Sequence, residues 1–310
     1  MGDTTEIKLK KFDPKSIEGC RTIVVIAKRN SGKSILVRDL LYHLRDRLPF
    51  GMAFSGTEQS NGFYGQMMPK SFIYDDFDAE ATQKLIMRQK YMVQNKKKKP
   101  EAFLVVDDCM ADSRIMMKDN GIRTIFFNGR HMRILFIMNF QYSLEISTSI
   151  RANIDYLFVL KENIISNQMK LHTHFFGMFP TFQMFQQTMN ACTENFGVLC
   201  LDNTSRSNKI EDCVFHYKAA LHGPFKICSP KVWKLHKKIY SDNDHKVSLQ
   251  SIQSMQKTTV DKGRAASKNT SYSVIKNEKK DKEKPKPKPT AKPTVKPKKG
   301  EKTTFKIQKM

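Results

Sequence analysis

Closely spaced cysteines are missing from this chain: Cys20, Cys109, Cys192, Cys200, Cys213 and Cys228 are scattered, with no C-x-x-C pair among them. That argues against a structural zinc site and against a disulfide framework, so reduced thiols in a cytosol-like compartment are expected. His172 and His174 stand two apart, but no nearby Cys or carboxylate completes a metal set, and they read as strand residues facing one side. Long apolar runs are missing too. None approaches the roughly 20 residues of a membrane span, and the opening Met-Gly-Asp-Thr-Thr-Glu is polar and charged, unlike a secretory signal. Gly2 lacks the Ser or Thr that myristoylation needs, because position 6 is Glu6. These absences predict a soluble intracellular protein, not secreted and without a membrane partner.

Acidic residues are scarce: 30 Asp and Glu face 54 Lys and Arg, a net charge of +24. Residues 241–310 hold 19 Lys and Arg against 7 Asp and Glu, an excess of +12, so the first 240 residues carry the other +12. Such a balance suits a polyanionic partner, nucleic acid before an anionic membrane surface. Plain solubility and a lysine-rich coding bias are the competing explanations. With 310 residues and 39% hydrophobic content, one large α/β domain with a real core is affordable, plus an accessory piece.

What the chain does have is concentrated in residues 23–34, Ile-Val-Val-Ile-Ala-Lys-Arg-Asn-Ser-Gly-Lys-Ser. An apolar strand runs straight into Ser31-Gly32-Lys33-Ser34, the end of a phosphate-binding P-loop, with Ala27 where the first glycine usually stands. Over Ala27, Lys28, Arg29, Asn30 and Ser31 to Ser34, backbone N–H groups would face phosphate oxygens. Lys33 would reach the β and γ phosphates, and the Ser34 hydroxyl would ligate Mg²⁺. The alternative is an ordinary helix start. Context favours the P-loop, because Leu36, Leu40 and Leu44, widened by Val37, Leu41 and Leu48, mark an amphipathic helix directly downstream. ATP and Mg²⁺ are the implied ligands.

A second strand, Gly51–Ser55, follows Pro49, as in a strand-helix-strand unit with a right-handed crossover. Gly56 to Lys70 reads as a loop or lid, and Ala79 to Gln94 as a helix ending at the run Lys96 to Lys99, which is either a solvated helix end or a phosphate contact. Phe103-Leu-Val-Val-Asp107-Asp108 is an apolar strand ending in two acids, in the form of a Walker B motif. Asp107 would hold Mg²⁺ beside Ser34, and Asp108 could polarise an attacking water. Thr124 to Arg130 can be helical. Arg133 to Gln141 is a fourth buried strand whose polar end, Asn139 and Gln141, would face the γ phosphate, where an amide can sense phosphate loss. For Gln141 the plainer alternative is a loop cap.

Asp155–Leu160 is a fifth strand candidate, Pro180 to Cys192 a helix, and Val198–Leu201 and Val214–Tyr217 further strands; the last recognisable element is around Trp233 to Tyr240. From Ser241 the composition turns to Lys, Ser, Thr, Asn and Pro, with five of the twelve prolines between Pro285 and Pro297. Such a segment buries too little apolar surface to fold and predicts an extended cationic arm. The expected organisation is a polar lead-in over 1–18, a P-loop ATPase domain over 19–240, and a disordered basic tail over 241–310. The fold class is α/β, a mainly parallel sheet flanked by helices.

Taken together, the chain resembles the genome-packaging ATPases of large nucleocytoplasmic DNA viruses, the poxvirus and iridovirus type within the FtsK/HerA superfamily. The resemblance spans about residues 20–240. It rests on Ser31-Gly-Lys-Ser34, Phe54-Ser-Gly-Thr57, Val105-Val-Asp107-Asp108, Asn128-Gly-Arg130-His131, Asn139-Phe-Gln141 and Ile150-Arg-Ala-Asn-Ile-Asp155, in that order. Position 108 holds Asp where a Glu would be usual, one methylene shorter. The resemblance implies a homo-oligomeric ring, driven by ATP, that moves double-stranded DNA into a preformed capsid. It also implies a capsid or portal partner, and work at the virus assembly site in the host cytoplasm or in the virion. An arginine supplied to the neighbour's γ phosphate is expected in such motors, with Arg130 and Arg151 as candidates; for each, a helix-end salt bridge is the alternative. Two other readings stay open: a P-loop nucleotide kinase, and a nucleic-acid-binding structural protein with a vestigial P-loop.

Overall fold

The computed structural model describes residues 6–109, 116–141, 146–240 and 304–306. Five runs that are apolar on both faces form the middle of a nine-stranded sheet: β3 (Thr22–Ile26), β4 (Gly51–Ser55), β6 (Ala102–Asp107), β7 (Ile134–Phe140) and β8 (Tyr156–Val159), every residue of them buried. Continuous apolar runs of this kind belong to parallel strands covered by helices on both sides. With β5 (Ile73–Tyr74), they give six parallel strands in the order β8-β3-β7-β6-β4-β5. β9 (Gly197–Asp202) lies antiparallel beside β8, and β10 (Val214–Lys218) antiparallel beside β9. The fold is therefore the expected α/β P-loop type. Within that order β4 does not neighbour β3: β7 and β6 stand between them.

Successive residues of each strand feed opposite cores. Val24 and Ile26 pack on one side with Leu104, Val106, Phe136 and Met138; Ile23 and Val25 pack on the other with Phe103, Val105, Leu135 and Ile137. The second core is covered by α1 (Lys33–Leu44), whose Leu36, Val37, Leu40, Leu41 and Leu44 form the buried stripe. The first is covered by α3 (Ala79–Gln94), α4 (Asn120–Asn128), α6 (Ile165–Phe175) and α7 (Phe182–Cys192), through Leu85, Ile122, Leu171 and Phe185. Asp78, Asp119 and Thr181 cap α3, α4 and α7 by accepting backbone N–H groups of the first turn. Among the described residues, short helices α2 (Glu58–Asn61), α5 (Thr148–Arg151) and α8 (Ile210–Cys213), and a further α9 (Pro230–Ile239), complete the α-helices.

Residues read as a polar lead-in prove to belong to the domain. β1 (Glu6–Lys8) is followed by β2 (Lys10–Lys11), which forms the sheet edge parallel to β10, and Leu9, Phe12 and Ile17 are buried. The Phe12 ring meets Phe158 edge-on at 5.3 Å. Over residues 6–18 eight polar or charged residues stand against Ile7, Leu9, Phe12 and Ile17, which hides this in a composition reading. His172 and His174 lie on helix α6, not on a strand, because Gln168, Leu171 and Phe175 bury one face at helical spacing. The expected basic tail lies outside the described residues except for β11 (Thr304–Lys306), which pairs antiparallel with β1.

Candidate nucleotide site

The carboxyl ends of β3, β4, β6 and β7 converge on one cluster. Beyond β3 the backbone turns through left-handed conformations at Asn30 (φ 60°) and Gly32 (φ 97°) before α1 begins at Lys33. Glycine suits the second of these positions. Ala27 takes no left-handed conformation; its N–H donates to Phe140 O (2.9 Å) and its methyl is buried among the α1 core residues. The missing first glycine is thus a position where nothing demands one. Within the turn, Ser31 Oγ donates to Lys28 O at 2.6 Å, and Lys28 Nζ pairs with Glu162 Oε1 at 2.5 Å just past β8. The leading N–H groups of α1 have no partners within the helix, and with its dipole they form the anion-facing end of the loop.

Lys33 is 8% exposed and its Nζ bridges both acids, 3.0 Å from Asp107 Oδ1 and 2.5 Å from Asp108 Oδ1. Burial alone would lower its pKa, but the two carboxylates outweigh burial and the net shift is upward, so the ammonium stays charged. Asp107 is held from every side: Asn139 Nδ2 donates to Oδ1 at 2.8 Å and the Tyr64 hydroxyl to Oδ2 at 2.8 Å. Asp108 sits at φ 53°, a left-handed turn that aims its carboxylate back at Lys33. Burial, then Asp107, pushes the Tyr64 hydroxyl well above its ordinary value, which keeps it a proton donor.

Two buried oxygens beside Asp107 have no hydrogen-bond partner among the described residues: Asn139 Oδ1 and Ser55 Oγ, the latter paired in register with Asp107. Hard oxygen donors gathered at one point suit Mg²⁺, so the residues fit the metal that the P-loop implies. Ser34 stands next to Lys33 in the first turn of α1, and Gln141 follows β7 at the same edge of the sheet. Asn139, expected to face the γ phosphate, bonds to Asp107.

Arg130 and Arg151 are elsewhere. They precede β7 and β8 respectively, at the amino edge of strands whose carboxyl edge bears the P-loop. The Arg151 guanidinium donates to Ile146 O (2.8 Å) and Thr148 Oγ1 (2.9 Å), whereas Arg130 is exposed. Neither joins this chain's own site.

Sequence reasoning missed three contributors. Tyr64 and Glu58 lie in the segment read as a loop or lid, which is in fact closed on itself: Glu58 accepts the N–H groups of Tyr64 and Gly65, each at 2.8 Å. Burial raises the Glu58 pKa even though both N–H groups favour its charge. No local signal marks Tyr64. Glu162 could have been found as a polar residue just past a parallel strand's carboxyl end.

A nine-stranded α/β sheet with a P-loop, a paired-acid strand end and a buried lysine linking them defines a P-loop NTPase-like protein. No family model matches the sequence. Uncharacterized protein 088R of Invertebrate iridescent virus 3 is 36% identical over 230 residues, covering 71% of this chain and 87% of that protein. Uncharacterized protein L437 of Acanthamoeba polyphaga mimivirus is 33% identical over 244 residues, covering 76% and 85%. The chain belongs to this family of proteins found in large DNA viruses. Among solved structures, the genome packaging NTPase B204 from Sulfolobus turreted icosahedral virus 2 in complex with sulfate is similar over 67% of this chain and 100% of that chain, at 12% identity and a TM-score of 0.49. EssC (ATPases 2 and 3) from Geobacillus thermodenitrificans is similar over 76% and 47%, at 13% identity and a TM-score of 0.46. No helix among the described residues is long and apolar enough to cross a membrane.

Proposed function

We propose that this protein hydrolyses ATP to translocate double-stranded DNA during the packaging of a viral genome. The observation that carries the hydrolytic part is the Lys33 ammonium held between Asp107 and Asp108 at the end of a P-loop. Lysine and two acids thereby share one point at the sheet's carboxyl edge. In this reading Lys33 leaves the acids for the β and γ phosphates, and the N–H groups opening α1 bind the same phosphates. Ser34 and Asp107 would hold Mg²⁺, which supplies neutralisation of phosphate charge when bound. Asp108, once released by Lys33, accepts a proton from the water that attacks the γ phosphorus, while ADP leaves. Gln141 orients that water or senses the departing phosphate. Arg130 is the better candidate for action on a neighbouring subunit, since Arg151 is committed to its own turn.

The DNA part is supported by the net charge of +24, by the order of the motifs, and by membership in a family of proteins found in large DNA viruses. A ring of identical subunits and a capsid or portal partner complete the proposal, with the basic residues beyond 240 as an arm for DNA or capsid. The test is ATP hydrolysis with and without duplex DNA. Wild-type protein should be stimulated by DNA, and Lys33→Ala and Asp108→Asn should each lower the rate by about 10²-fold or more. Unchanged hydrolysis in both variants would overturn the site. DNA binding that ignores ATP would leave only a passive binder.

A further inference from the structure

Asn195 (φ 49°) and Phe196 (φ 62°) are consecutive non-glycine residues in the left-handed region, immediately before β9. Backbone of this kind costs free energy at each residue and concentrates at ligand sites. The turn is fixed from behind, because a Cβ at Gly197 would lie 2.1 Å from the Cys192 carbonyl oxygen. Strain here exposes an aromatic ring where burial would be the default: Phe196 is 67% exposed. The ring nevertheless touches the P-loop, since a Cβ built on Gly32 would meet Phe196 Cδ1 at 3.4 Å. Between them opens a cavity of about 310 Å³, lined by Lys28, Arg29, Asn30 and Ser31 on one side and by Asn195 and Phe196 on the other.

β9 runs against the parallel strands, so its first residues return to the carboxyl edge, beside β8 and next to the P-loop of β3. The cavity therefore continues from the phosphate-binding turn, on the side away from Asp107 and Asp108. We infer that Phe196 is the stacking platform for the base of a nucleoside triphosphate, purine before pyrimidine because the larger ring covers more of the phenyl. The inference rests on the nucleotide-site reading above and specifies where the base lies. It explains why a strained, solvent-facing phenylalanine stands at the rim of a phosphate loop.

The test uses the full chain and compares calorimetric binding of ATP with that of inorganic tripolyphosphate. Asparagine tolerates the left-handed conformation, so Phe196→Asn should raise the melting temperature while weakening ATP binding by about tenfold or more. Tripolyphosphate binding should stay within about twofold, since phosphate contacts are untouched, and Phe196→Tyr should bind ATP as the wild type does. ATP affinity unchanged in Phe196→Asn, or equal losses for ATP and tripolyphosphate, would overturn the platform. A wild-type protein that binds neither ligand would overturn the nucleotide site itself, and a wild type that binds both equally well would overturn the base contact alone.

Discussion

The Tyr64 hydroxyl donates to Asp107 Oδ2 at 2.8 Å across 43 residues of sequence, with both side chains almost fully buried. One end of the carboxylate is thereby fixed by a residue outside every recognisable motif. Removing a single partner from a buried charged group leaves that group unsatisfied. Tyr64→Phe should cost about 1–3 kcal/mol in denaturant unfolding. If Asp107 holds Mg²⁺, the same variant should also weaken the metal dependence of hydrolysis by about 10- to 100-fold, read from a Mg²⁺ titration.

Lys33 and Asp107 should behave as one energetic unit even without nucleotide. Lys33→Met strands two carboxylates beside each other, and the expected loss is about 3 kcal/mol or more of stability. Adding Asp107→Asn relieves part of that repulsion, so the double variant should be clearly less destabilised than the summed single variants. A double-mutant cycle by urea unfolding measures the difference, and simple additivity would mean that the bridge contributes nothing.

The pair Lys28–Glu162 ties the P-loop to the segment after β8 and carries a pH signature. Burial opposes the Glu162 charge, but Lys28, the Ile164 N–H and Asn167 outweigh it and hold the pKa below the usual 4.5. The folded protein thus binds this proton less readily than the unfolded chain. The stabilisation is complete above pH 4.5 and disappears as pH falls through the lower folded value. Melting temperatures of wild type and Glu162→Gln should therefore differ at pH 7 and converge in acid; a constant gap would contradict the ion pair.

Asp39 offers a test away from the site. Wholly buried in α1, it accepts from the Tyr217 hydroxyl and pairs with His222 Nε2, with His43 Nε2 at 3.4 Å. It locks the P-loop helix to β10 and to the segment beyond it. Asp39→Ala should destabilise by about 3–5 kcal/mol in urea unfolding. ATP binding measured well below the melting temperature should survive, because no bond of Asp39 reaches Lys33.

The sequence shows most clearly what is local. The strand-to-helix step at 22–44, the helix at 79–94 and the acids closing β6 are each written in a few adjacent residues, and each stands where its pattern puts it. Contacts set by strand order are another matter. That Asn139 bonds Asp107 depends on β7 lying next to β6, and that Phe196 meets Gly32 depends on β9 running backwards. Neither fact has a periodicity to betray it. The amino-terminal residues escape a sequence reading for a related reason: a two-residue edge strand, both of its lysines exposed and flanked by buried Leu9 and Phe12, has too few positions to show a pattern.

The bridge from Lys33 to both acids also bears on how ligands would arrive. While the lysine bridges Asp107 and Asp108, it offsets one of their two negative charges against a cation and is itself withheld from a phosphate. Drawing Lys33 toward phosphate uncovers two carboxylates at once, and a cation on those carboxylates pushes the lysine away. If both ligands bind as proposed, thermodynamic reciprocity has nucleotide and Mg²⁺ each tighten the other's binding by the same factor, so that the pair would be admitted together more readily than either alone.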